Sequence, residues 1–336
     1  MPASSGTAPL ARGVPPGRIV AALSLAPLLR LAVDVALGFG HLMRARLADD
    51  AFYYYEISRH LPFFNDGVAT SGFHPLLAVL VAPWHRWLAP EPAVGLGLGG
   101  LVLAQGAGTW LVWRLVRRSL GVMPGLVGAG AWAVSGQLYA IAATGVETVL
   151  AAVLVLAAWD ACPPEPWGER RRRPFLAFSV LVTLAFLARL DAPLLLAPAA
   201  VVLGVGLLRQ RRRGLAAVVA AIPVAGVVAW LASMHHLTGE WAPSSSAALR
   251  LLWGVDGAVI TDPGRLAASS RHLFEATLDF FVAAPWQSWL VDRLVALLLA
   301  GLVARTAWRL VRARAWREFP AVRLLALICA GVLVWA

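Results

Sequence analysis

Long apolar runs broken by short arginine knots govern what this chain can fold into. The knots stand at Arg12/Arg18, Arg114/Arg117/Arg118, Arg170 to Arg173, Arg209/Arg211 to Arg213 and Arg305 to Arg317, with Arg323 following. Between them lie stretches of the length and apolarity that cross a bilayer. Of the 336 residues, 60% are hydrophobic and 14% charged. A soluble domain is about 45–50% apolar and needs a polar exterior, which lipid makes unnecessary. The expected fold is therefore all-α, a polytopic transmembrane helical bundle of about nine spans.

The net charge of +11 is carried by arginine alone. Such a balance can mark a nucleic-acid binder. Here the cations are confined to knots between apolar runs, the pattern that orients spans with positive loops in the cytoplasm. That excludes nucleic acid and makes membrane lipids the surroundings. The Ala, Gly, Leu, Val and Arg bias is that of a GC-rich bacterial genome, so the location expected is the cytoplasmic (inner) membrane. Cys162 and Cys329 suggest neither a disulfide framework nor a metal site.

Residues 1–17 are rich in Pro, Ser, Gly and Ala and read as a disordered N-terminus. Residues 18–336 form the transmembrane domain. Ile19 to Phe39 is long for a signal peptide and reads as a retained span. Its Arg30 and Asp34 are four apart on one helix face, so they can pair. The later spans fall at 93–113, 122–143, 148–161, 174–188, 192–208, 214–233, 288–308 and 321–336. Residues 75–113 are long for one span: 75–89 reads as a short interfacial or re-entrant helix before one true span, with two spans as the open alternative. The chain ends at Ala336 inside an apolar run, which suggests a fragment.

With the knots in the cytoplasm, residues 41–74 and 234–286 become extracytoplasmic loops. The first holds Asp49, Asp50, Glu56, Asp66, His60, His74 and the run Tyr53-Tyr54-Tyr55. A helix from Asp49 or Asp50 would set Phe52, Tyr55 and Arg59 on one side, an interfacial amphipathic pattern. Adjacent carboxylates beside a membrane can act as a general base. They can also hold a divalent cation (Mg or Mn) against a phosphate, making Asp49 and Asp50 candidate metal ligands. The structural alternative is that Asp49 is an N-cap.

Glu147 lies in a tight turn between apolar runs, either as a functional charge or as the cap of the next helix. Arg189 and Asp191 at a span end form an ion pair or a lipid-phosphate site. In the second loop, Pro243-Ser244-Ser245-Ser246 with Arg250 could cradle a phosphate or open a helix. His235 and His236 are adjacent, so they cannot share one helix face around a zinc ion. Trp241, Trp253, Trp286 and Trp289 look like interface anchors.

Taken in order, several of these segments resemble one family. One span is followed by Asp49-Asp50-Ala51-Phe52-Tyr53-Tyr54, then Asp66-Gly67 and Thr70-Ser71-Gly72-Phe73-His74-Pro75-Leu76. Thr144-Gly145-Val146-Glu147-Thr148, Leu187-Ala188-Arg189-Leu190-Asp191, and Gly239 with Pro243-Ser244-Ser245 follow in the same order. The series resembles the membrane-embedded GT-C glycosyltransferases, closest to bacterial arabinofuranosyltransferase-like and mannosyltransferase-like enzymes. Departures are Pro62 to Asn65 in place of Gly-x-Gly, Leu77 in place of Trp, and Arg250 in place of Lys.

The resemblance implies a hexosyl- or pentosyltransferase. It would move a sugar from a polyprenyl-phosphate donor to a glycan or lipid acceptor of the cell envelope, outside the membrane. It implies Asp49 as base with Asp50 as partner, and Glu147 as a further catalytic residue. Tyr53, Tyr54, His74, Arg189, Ser244, Ser245 and Arg250 would bind substrate. A transporter or flippase of a lipid-linked intermediate is the alternative. A scaffold would not need the polar first loop.

Overall fold

The computed structural model describes residues 14–241, with breaks at 61–63, 66–67, 71–72, 163–171 and 191. These residues form α1 (Pro16–Leu23), α2 (Ala26–Ala36), α3 (Phe39–Ala45) and α4 (Asp49–Arg59). A two-residue ladder of β1 (Phe64–Asn65) and β2 (Val68–Ala69) follows. Next come α5 (Pro75–Trp87), α6 (Pro90–Leu120), α7 (Val122–Val134) and α8 (Gly136–Ala143). The last four are α9 (Thr148–Ala161), α10 (Arg173–Ala188), α11 (Ala192–Arg209) and α12 (Arg213–Thr238). The all-helical expectation holds apart from the small ladder.

Three runs are long and apolar enough to cross a membrane: Pro16–Ala36, Pro90–Arg118 and Arg213–Thr238. The pair α7 and α8 makes a fourth if counted as one span, bent by 46° at Ser135. The segments expected at 148–161 and 174–188 are apolar helices of 14 and 16 residues. At 1.5 Å per residue they reach roughly 21–24 Å, short of a hydrocarbon core of about 30 Å. Among the described residues three or four helices are thus long and apolar enough to cross, and the count of nine for the whole chain is not tested by them. The spans expected at 288–308 and 321–336 lie outside them. The stretch 75–113 divides as expected, into a short helix, α5, and one long one, α6.

Two packed ends organise the bundle. Helices α6 and α9 run the same way: Val102, midway along α6, clusters with Val149 at the start of α9, and Arg114 and Arg118 meet Asp160 further along both. The Asp160 carboxylate receives Arg114 Nη2 at 3.1 Å and Arg118 Nη1 at 2.6 Å. Around that end cluster Leu115, Trp159, Cys162, Phe175, Phe178, Leu207 and Val219, with Arg212 over the Phe175 ring. At the other end Tyr54, Tyr55, Phe73, Leu77, Leu98, Phe186, Trp230 and Met234 pack together. From Leu98 to Arg118 is 20 residues of helix, about 30 Å, one bilayer core. Among the described residues, arginine knots thus gather at one end and the polar first loop at the other.

Helix α4 explains how that loop docks. Ala51, Tyr54, Tyr55 and Ser58 are buried, spaced i, i+3, i+4, i+7, one stripe of an amphipathic helix. Phe52 and Tyr53 are half exposed. The expected stripe of Phe52, Tyr55 and Arg59 is therefore corrected: Tyr55 turns inward, where Gly97 of α6 leaves room for its ring.

Candidate active site

The site is built on the turn from α8 to α9. Gly145, at φ +78°, lets the chain reverse there, and a side chain at this position would crowd Ala51, Leu47 and Leu98. The backbone N–H of Ala48 donates to the Thr144 carbonyl at 3.0 Å. Together these seat the start of α4, with Asp49 and Asp50, against Thr144 to Thr148. The N-cap of α4 is Ala48, in extended conformation. The reading of Asp49 as N-cap is corrected: both aspartates stand inside the first turn. There the helix N-terminus favours negative charge.

Glu147 occupies the N-cap position of α9, yet its side chain makes no capping bond. It is 6% exposed. Its carboxylate instead meets groups from three other segments. The Tyr54 hydroxyl of α4 donates a hydrogen bond to it. His74 Nε2 lies 3.7 Å from Oε1, and Arg189 Nη1 lies 4.0 Å from the same oxygen. Both separations exceed a direct hydrogen bond, so these two act on Glu147 through charge and dipole. Arg189 Nη1 also donates to Thr148 Oγ1 at 3.3 Å.

The orientation of His74 follows from its other nitrogen. His74 is the N-cap of α5 without a side-chain cap bond. Its Nδ1 accepts the backbone N–H of Leu190 at 3.3 Å. A neutral imidazole accepting at Nδ1 carries its proton on Nε2, which here faces Glu147. His74 thereby ties the entry to α5 to the end of α10.

Tyr54 links the two carboxylate regions. Burial first, then the Glu147 carboxylate and its hydrogen bond, with Asp50 adding, push the Tyr54 hydroxyl above the ordinary tyrosine range. A backbone hydrogen bond at His74 opposes the shift in part. Tyr54 is a protonated donor, one helical turn from Asp50 on α4. Asp50 is exposed, as is Tyr53.

Of the residues expected in the site, the structure brings together Asp50, Tyr54, His74, Glu147 and Arg189. Asp49 opens α4 beside them. Ser244, Ser245 and Arg250 lie outside the described residues, as do Asp66 and Asp191. Arg189 faces Glu147 and Thr148; its expected pairing with Asp191 lies outside the described residues. Among the described residues, no group of three or more His, Cys, Asp or Glu side chains is arranged to hold a metal ion. His235 stacks on exposed Trp241 with ring centroids 4.2 Å apart.

The pair of Arg30 with Asp34 that their spacing permits does not form. The buried Asp34 carboxylate takes Arg46 Nε at 3.2 Å and the Tyr139 hydroxyl at 2.6 Å on one oxygen. Arg30 turns instead to the Val134 carbonyl, exposed by the break at Ser135, and to the Tyr139 ring. Arg46 and Tyr139 had no motif to announce them. The one signal was Asp34, a carboxylate inside a span, which requires a partner.

The apolar helices define an integral membrane protein. Residues 76–230 match the family model described as dolichyl-phosphate-mannose-protein mannosyltransferase, a match to a glycosyltransferase family over just under half of the chain. The matched stretch contains Glu147 and Arg189, and it begins after Asp49, Asp50 and His74. No curated protein and no solved structure matches the chain.

Proposed function

We propose that this protein is a membrane glycosyltransferase that moves a sugar from a polyprenyl-phosphate donor to a hydroxyl of a cell-envelope glycan or lipid acceptor. One observation carries the reading. Segments at 49–54, 74, 147 and 189, far apart in sequence, converge at the end of the bundle opposite the arginine knots. The match of residues 76–230 to a mannosyltransferase family supports the donor class. The positive-inside bias supports an extracytoplasmic face for this end.

In this reading Asp49, with Asp50 as partner, takes the proton from the acceptor hydroxyl as its oxygen attacks the anomeric carbon. The bond from that carbon to the phosphate oxygen breaks, and polyprenyl phosphate leaves with the electron pair. Attack opposite the leaving group inverts the anomeric centre. Glu147 works through its neighbours: it holds Tyr54, His74 and Arg189 in register beside α4. The leaving phosphate needs cations or N–H donors as its charge grows, a role for Arg189 and for Ser244, Ser245 and Arg250. Asp49 and Asp50 would hold a divalent cation (Mg or Mn), which would supply further positive charge for the leaving phosphate.

Whether the sugar is a hexose or a pentose follows from the donor that works. The test is the full chain in vesicles with a set of labelled polyprenyl-phosphate sugars and envelope glycan acceptors. Transfer from one of them is expected. Lipid scrambling without transfer from any donor would favour the flippase instead.

A further inference from the structure

Arg30 lies on α2, inside the run Pro16–Ala36 that is long and apolar enough to cross a bilayer. Its neighbours Leu29 and Val33 are 68% and 61% exposed, so this arc of the helix faces lipid. Arg30 is itself exposed. A guanidinium on such an arc is costly to insert, and charges placed so mark sites of function. Its carbon sits 5.1 Å from the centroid of the Tyr139 ring. Nη1 donates to the Val134 carbonyl at 3.4 Å, a bond that uses one of its five N–H donors.

Arg46 approaches the same ring, 6.0 Å from its centroid. Asp34, 6% exposed, fixes Arg46 through Nε and accepts from the Tyr139 hydroxyl on the same oxygen. The cluster thus contains two guanidiniums and one carboxylate, leaving one positive charge in excess. Tyr139 precedes Thr144 by five residues, and Thr144 holds Ala48 at the entrance to α4. The excess charge is thus carried on segments that lead into that entrance, and Arg30 opens it toward lipid.

We propose that Arg30 and Arg46, held over Tyr139 and braced by Asp34, bind the phosphate of a lipid-linked substrate that enters laterally from the bilayer. The planar, always charged guanidinium suits phosphate, and two of them around one ring form a fork for its oxygens. The identity of that lipid as the sugar donor rests on the glycosyl-transfer reading. Arg189 is partly neutralised by Glu147, so the excess charge of this cluster adds to the cationic contact that Arg189 gives a donor phosphate.

The test uses the full chain in nanodiscs and binding of a long-chain polyprenyl phosphate, read by native mass spectrometry, with sugar transfer assayed separately. Arg30→Gln, which leaves the Asp34–Arg46 pair intact, is expected to weaken binding about ten- to a hundredfold. Arg46→Gln is expected to do the same and Arg46→Lys less, while Arg114→Gln at the opposite end changes nothing. Polyprenol without phosphate should not compete. Unchanged binding in Arg30→Gln overturns the proposal even if Arg46→Gln fails to fold. Displacement by phosphatidylglycerol at equal concentration overturns the donor assignment in favour of a general anionic-lipid site. Arginine-dependent binding without transfer from any donor upholds the site and sinks the enzymatic reading. Transfer with an unaltered KM in Arg30→Gln does the reverse.

Discussion

Tyr54 shows how a single side chain couples parts of this protein that are distant in sequence. It is buried on α4, donates to Glu147, and feels Asp50 one turn away. Its raised pKa means that the folded state keeps the proton while an unfolded tyrosine loses it near pH 10. The stabilisation from this group is thus fully present below about pH 10 and is lost as the pH rises through the folded value. Thermal unfolding in detergent should therefore fall more steeply above pH 10 for wild type than for Tyr54→Phe. Parallel curves for the two proteins would show that Tyr54 is not held as described. Nothing in the Tyr53-Tyr54-Tyr55 run distinguishes its members by residue type. The helical stripe with Ala51 and Ser58 does, placing Tyr54 and Tyr55 inward and Tyr53 outward.

Among the elements, close approach between helices depends on where glycine is placed. A Cβ on Gly106 of α6 would come within 2.6 Å of the Ser24 carbonyl oxygen, at the break between α1 and α2. Gly130 of α7 has open space around its Cβ direction. Gly106→Ala is expected to destabilise by about 1–3 kcal/mol because backbone must move. Gly130→Ala should be neutral, or stabilising by up to about 1 kcal/mol through helix propensity. Thermal denaturation of both variants checks this, and equal losses would contradict the packing of α1 and α2 on α6.

Much at this scale was legible in the sequence. Apolar runs bounded by arginines and prolines located α5, α6, α10 and α12, because period, length and end signals are local. The break at Ser135 was not legible, because α7 and α8 together have the length of one straight span. The turn Thr144 to Thr148 was legible as a motif. That Glu147 gathers Tyr54, His74 and Arg189 was not, since those contacts join residues separated by 93, 73 and 42 positions. Arg30 and Asp34 misled for the complementary reason: their spacing permits a pair, while tertiary contacts with Tyr139 and Arg46 outbid it.

For the whole molecule, the division into an arginine end and a carboxylate end makes a prediction about sidedness. The spacing between Leu98 and Arg118 along α6 is about one hydrocarbon thickness, so the two ends should meet opposite aqueous phases. Single cysteines introduced at Tyr53 and Ser119, in a background lacking Cys162 and Cys329, should label differently in intact cells. Tyr53→Cys is expected to react with an impermeant thiol reagent from outside, and Ser119→Cys only after permeabilisation. Labelling of both from one side would overturn the arrangement and restore two crossings between 75 and 113.

Sidedness, the converging carboxylates and the family match all bear on one claim, that the start of α4 performs sugar transfer. The most direct measurement compares wild type with Asp49→Asn, reconstituted with a labelled polyprenyl-phosphate sugar and an envelope glycan, each checked for folding by thermal unfolding. Asp49→Asn is expected to fold normally and to lose transfer by about 10²- to 10⁴-fold, as for removal of a general base. Equal transfer by the two proteins would contradict it.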